Sequence, residues 1–127
     1  MSKALLNIIA TSMESMGLEY AFATYNENPI RYPYFVGEYT ETAVTTEDGM
    51  QETAFILNGF HRGPWLELED AKEKIEQHFS RVSGLTVMAE DGSAVAVFYE
   101  DALVVPTGDE EFKRIQINLK AKEWKVK

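Results

Sequence analysis

A chain of 127 residues, 45% hydrophobic and 26% charged, has the size and make-up of one folded domain with a real core. Its net charge of −9 excludes avid or sequence-reading attachment to nucleic acid, which needs clustered Lys and Arg to neutralise phosphates. Zero cysteines exclude disulfides, iron–sulfur clusters and thiolate zinc sites, and no apolar run approaches the ~20 residues of a membrane span. The first residues lack a long apolar segment and a cleavage site, so no signal peptide is expected and a cytoplasmic origin fits best.

Ser2 opens a predicted helix over 3–16, with Leu5, Ile9, Ser12 and Met16 at helical spacing and Gly17 as its left-handed stop. Leu18 to Thr24 reads as a short strand. Tyr25-Asn26-Glu27-Asn28-Pro29 is loop chemistry. Tyr34 to Phe60 reads as a long hairpin turning at Glu47-Asp48-Gly49. Its second arm puts Ala54, Ile56 and Phe60 on one face and Phe55 and Leu57 on the other. The first arm is Thr/Glu-rich from Glu38 to Thr46, so the base belongs to the core and the tip projects outward.

Pro64 suits the entrance of a second helix, over 66–82, whose apolar stripe is Leu68, Ala71, Ile75, Phe79 and Val82. Its other side is charged, and Asp70 with Lys74 forms a favourable i,i+4 spacing. A second hairpin follows, 85–89 and 94–105, around Glu90-Asp91-Gly92. In the last strand Ile115, Ile117, Leu119 and Ala121 alternate with polar residues. The alternation then changes phase at Trp124 and Val126, which calls for a bulge or marks a contact surface. The order α-β-β-β-α-β-β-β, with antiparallel hairpins covered by two helices, predicts a single α+β domain over 1–127.

Catalytic chemistry is not legible. His61 and His78 sit on different elements without ligand spacing, and no serine lies in GxSxG. Gly59-Phe60-His61-Arg62-Gly63 lacks a Walker lysine and reads as a strand-to-helix turn. Asp109, Glu110 and Glu111 lack the spacing of a calcium loop. No enzyme activity, cofactor or metal is therefore expected. The aromatics are more telling, because Tyr32, Tyr34, Tyr39 and Trp124 fall near strand edges or the terminus, where such rings favour interfaces.

With "YPYFVGEYTET" entering the hairpin, "ETAFILNGFHRG" returning and "PWLELEDAKEKIEQHF" as the second helix, the chain resembles the small tail terminator (tail completion) proteins of long-tailed bacteriophages. "FYEDALVVPTGDEEFKRIQINLKAKEW" closes it as two long strands. Thr53, Phe55 and Leu57 match the family's Thr-x-Phe-x-Leu-like return strand. The resemblance covers nearly the whole chain, and its motifs are diffuse. It implies a virion structural protein with no catalytic residues. Such a protein forms a ring, generally hexameric, on the last ring of the tail tube, ends tube polymerisation and offers the surface for head–tail joining. The implied partners are other copies of itself, the tail tube protein and a head-completion or connector protein, with DNA passing through unbound. The implied location is the head-proximal end of the virion tail, after assembly in the host cytoplasm. Expected interface positions are Tyr39, Glu41, Thr45, Glu47, Asp48, Lys72, Lys74, Arg114 and Trp124. The competing classes are a small-molecule-binding α+β domain with an aromatic groove and another phage neck or tail assembly factor.

Overall fold

The structure is a computed structural model that describes residues 2–41, 49–80, 82–88 and 92–124. Eight elements run in the expected order: α1 (Lys3–Ser15), β1 (Glu19–Phe22), β2 (Tyr34–Glu41), β3 (Met50–His61), α2 (Trp65–Phe79), β4 (Leu85–Met88), β5 (Ala94–Val105) and β6 (Lys113–Trp124). The strands make one six-stranded sheet in the order β1-β2-β3-β6-β5-β4. Both helices pack on one face of it, so the fold is α+β, in two layers.

The sequence sets each helix end. Ser2 is extended and its Oγ accepts from the Leu5 N–H at 3.1 Å, which caps α1. Gly17 takes φ 72°, and the Leu18 N–H reaches back to the Met13 carbonyl at 3.0 Å, satisfying the last turn. Leu5, Ile9 and Met13 face the sheet, fully buried. Helix α2 buries Leu68, Ala71, Ile75 and Phe79 as predicted. It stops at Phe79, three residues before the expected end. Ser80 leaves helical geometry and its Oγ accepts from the Val82 and Ser83 N–H groups, both at 3.3 Å. Val82, expected on the core stripe, is therefore 90% exposed.

The core face of the sheet alternates cleanly. From β3 and β6 it receives Phe55, Leu57, Ile115, Ile117, Leu119 and Ala121. Two glycines let the aromatics lie flat across the β2–β3 pair. Phe55 rests against Gly37 diagonally across the ladder, and Phe35 against its direct partner Gly59. A Cβ at Gly59 would sit 2.5 Å from Phe35 Cε1, and one at Gly37 2.8 Å from Phe55 Cζ. Rings that cover glycine backbone in this way regain the packing the missing side chains forfeit.

Two expectations change. The strand β1 pairs β2 in parallel, not antiparallel, because the connection from 23 to 33 crosses back before β2 starts. Up to Trp124 the last strand carries no bulge, and Val126 lies outside the described residues. The strand pairs β3 without a break from Lys113 to Trp124, and the irregularity lies in β5 between Tyr99 and Asp101. The inward slot near the end of β6 is filled by Glu123, 2% exposed, instead of an apolar residue. Its Oε1 accepts from the Ser2 N–H at 3.3 Å and from Ser2 Oγ. An anion at a helix N-terminus is held by unpaired N–H groups and by the macrodipole, which is why a carboxylate replaces a hydrophobe there.

Tyr20 leans over Gly37, half-buried, with its hydroxyl out of solvent and without a partner among the described residues. Burial pushes its pKa from 10.0 up to about 12. The folded state therefore keeps a proton that the unfolded chain releases, so this contribution is present below pH 10.0 and lost as pH rises through about 12. Tyr20→Phe is expected to leave neutral-pH stability unchanged or slightly raised and to flatten the alkaline fall in melting temperature. Melting curves of both proteins across that window check it; parallel curves would mean that another group controls the alkaline loss.

Candidate functional site

The helices leave the second face of the sheet uncovered, and its residues are mostly half-buried by their neighbours alone. Two regions divide it. At the end where β2 begins, rings from several segments stack in a row: Tyr25 on Tyr34 (centroids 4.3 Å apart), Tyr34 on Phe60 (5.2 Å), Phe60 on Phe112 (5.7 Å). Two guanidiniums cover this row, Arg62 4.9 Å from the Phe112 centroid and Arg114 5.5 Å from that of Phe60. The row ties the 23–33 connection and the β5–β6 turn to the sheet. Each stacked pair adds about 0.5–1.5 kcal/mol beyond its buried area. The rings spend part of their faces on one another, and Tyr25, Tyr34 and Phe60 also face open space. Beside them lies a shallow cleft of about 380 Å³, lined by residues that include Tyr34, Glu38, Asn58 and Arg114.

Towards the middle of the face the residues turn polar and bind one another. Arg114 Nη2 donates to Asn58 Oδ1 at 2.9 Å, and Asn58 Nδ2 donates to Glu38 Oε1 at 3.2 Å. Gln116 donates to Asn118 Oδ1 at 3.0 Å, and Asn118 donates to Asp101 at 2.6 Å. Lys120 lies 4.0 Å from Glu100, and Lys122 sits over the Phe98 ring at 5.8 Å. Carboxylates (Glu38, Glu100, Asp101) and cations (Arg114, Lys120, Lys122) thus interleave and nearly cancel. The acidic excess lies elsewhere, for example on α2, where Glu67, Glu69, Asp70, Glu73 and Glu76 outnumber Lys72 and Lys74.

The expected interface residues fall in three places. Tyr39, level with Phe55 and Leu119, and Glu41, level with Thr53 and Ala121, lie on β2, while Trp124 lies further along, at the hairpin-tip end of β6. Tyr39 is 42% exposed and stacks on Phe22 at 6.0 Å. Glu41 accepts from Gln51 across the hairpin. Trp124 is half-buried and lies level with Met50 and Ala94. Thr45, Glu47 and Asp48 lie outside the described residues. Arg114 sits at the opposite end, committed to Asn58 and Phe60, with its Nε buried and without a partner among the described residues. Lys72 and Lys74 are on the helix layer. Lys72 donates to Glu69 at 2.8 Å, and that hydrogen bond raises its pKa. This i,i+3 pair forms in place of the expected Asp70–Lys74 pair. The turn acids are also engaged: Asp109 lies 3.7 Å from Arg62.

His61 is buried at the end of β3, its Nε2 3.3 Å from Glu67 Oε1 and packed against Gly63. In the sequence it reads as part of a strand-to-helix turn. The Glu67 pairing was invisible because it depends on the turn at 62–64. No group of three or more metal-binding side chains forms among the described residues.

The fold and this surface define a two-layer α+β domain with one covered and one open sheet face. No protein-family model matches the chain, and no curated protein sequence does. Among the described residues no helix is long and apolar enough to cross a membrane.

Proposed function

We propose that the protein is a structural virion component of the tail-terminator kind. It caps the tail tube as a ring, stops tube growth and presents a surface for joining the head. The reading rests on the resemblance of the whole chain, and the open face of the sheet is the observation that carries it furthest. A wet, hydrogen-bonded face with nearly balanced charge suits a channel wall past which DNA slides. Phosphates find no basic stripe there to grip. The acidic helix layer is turned away from that wall in this arrangement.

The hairpin-tip half of the sheet, from Tyr39 and Glu41 out to Trp124, is the surface for the tube or the head component. Trp124 offers large amphipathic area there, whereas Lys72 is already satisfied within its own helix. Trp124→Ala is expected to weaken tube capping by at least tenfold in the concentration needed, and Lys72→Ala by less than twofold. Tube lengths in negative-stain images, with the tail tube protein polymerised alongside each variant, measure this. Equal losses would move the docking surface elsewhere.

Copies at net −9 repel each other, so ring formation is expected to gain from moderate salt. Native mass measurement across a salt series tests the ring itself. A monomer at every protein and salt concentration would remove the terminator reading.

A further inference from the structure

We infer that copies of the chain join edge to edge, β1 of one copy adding to the bare half of β5 in the next. The inference rests on the ring reading for closure, while the pairing itself follows from the ladder. At one side of the sheet, β1 covers only Tyr34–Gly37 of β2. At the other side, β4 covers only Ala94–Val97 of β5. Among the described residues no strand lies along the outer side of Ala102–Val105.

Following the rungs across the sheet places the two edges at one level. Tyr34 is level with Phe60, Arg114 and Val105; Gly37 is level with Leu57, Ile117 and Ala102. Because β1 runs from Glu19 beside Tyr34 to Phe22 beside Gly37, it occupies the same four rungs as Ala102–Val105. A copy moved sideways in the plane of the sheet, with no slide along the strands, brings β1 against that bare segment. Direction also matches. β1 is parallel to β2, and three antiparallel steps lead from β2 to β5, so the new pair is antiparallel. The strand β4 does not obstruct it, since its rungs begin at Val97, level with Glu41.

Three of the four facing pairs bring aromatic or aliphatic side chains together, and the fourth sets Glu19 against Val105. Tyr20 of the second copy meets Val104, Ala21 meets Leu103 and Phe22 meets Ala102. Val104 is 61% exposed, Leu103 46% and Phe22 41%. Leu66, at the start of α2, adds another exposed apolar side chain at 74%. An exposed apolar strand edge is a template for another strand, and proteins that keep one generally cover it. The chain carries a cover of the right length, direction and level on its own opposite edge, which is why the occupant is a second copy. Such a contact is head to tail, and head-to-tail contacts close into a ring when the rotation from copy to copy closes, which is the part taken from the ring reading. The edge ends at Phe22, whose carbonyl is taken by the Thr24 N–H at 2.8 Å.

The chain has no cysteine, so engineered ones report cleanly. Directly opposed antiparallel residues are within disulfide reach. Ala21→Cys with Leu103→Cys in one chain is expected to give, on mild oxidation, a ladder of covalent oligomers up to the full ring. Each single variant is expected to stay uncrosslinked, and a mixture of the two to give dimers. Val104→Lys, at an exposed site, is expected to reduce the assembled mass to a monomer without changing the melting temperature. Assembly by mass with no ladder, or with Val104→Lys unaffected, overturns the edge pairing and leaves the ring reading standing. Dimers of the Leu103→Cys variant alone mean the edge pairs with itself, which also overturns it. Absence of any assembly in the unaltered protein overturns both readings.

Discussion

Phe55→Ala is expected to lower the free energy of unfolding by about 3–5 kcal/mol. The side chain is fully buried at the centre of β3, between the helix layer and the backbone of Gly37. Removing it deletes the transfer energy of a ring and also leaves a cavity. That cavity cannot close from below, because Gly37 has no side chain to move in, nor easily from the side, because β2 and β6 hold β3 along its length. The companion substitution Gly37→Ala is expected to cost about 1–3 kcal/mol, since the added Cβ meets Tyr20 Oη at 2.6 Å and the Phe55 ring at 2.8 Å. Combined, the two are expected to cost less than their sum, because the new methyl partly fills the space the ring leaves. Urea titration of the single and double variants measures this. A strictly additive pair would mean that ring and glycine do not share one packing unit.

That unit could be read only in part from the sequence. Phe55 and Leu57 were visible as one face of a strand, because period-two alternation needs nothing but the local chain. The glycine partnership was not, since it joins residues on two strands through a diagonal of the ladder. The same distinction separates the rest. The hairpins followed from Asp-Gly turns, and the helix starts from Ser2 and Pro64, all short-range signals. The parallel pairing of β1 depends on where an 11-residue connection without periodicity lands (23–33), and loop composition does not encode that. The end of α2 went to a local hydrogen bond of Ser80 over the apolar spacing that pointed on to Val82. Of the candidate surface, Tyr39 was legible as a ring near a strand edge, Glu41 as part of the polar hairpin tip and Trp124 as a ring near the terminus, and the structure sets them at different levels of the sheet. Lys72 and Arg114 were legible only as charges. Their commitments to Glu69, Asn58 and Phe60 appear once the fold is known.

Glu123 is the clearest case of a residue whose sequence reading and structural role differ, and its substitution carries the second large effect. Glu123→Lys is expected to cost about 3–5 kcal/mol, the scale of breaking a buried charged contact and leaving a charge uncompensated. The carboxylate is 2% exposed and holds Ser2, a residue 121 positions away, at the N-terminus of α1. A lysine would bring positive charge to the positive end of the helix and remove the acceptor of the Ser2 N–H. Glu123→Gln keeps the length and one acceptor oxygen while losing the charge, so about 1 kcal/mol is expected, in the range of a helix-terminus charge. The difference between them separates electrostatics from packing. Because Ser2 Oγ caps Leu5 N–H at the same time, both variants are expected to loosen α1 before the sheet. Hydrogen exchange then shows protection falling first in the amides of α1, with β3 and β6 unchanged in Glu123→Gln. If lysine and glutamine cost the same, charge at the helix end is not what holds Glu123 in its inward slot, and the slot is kept by shape alone.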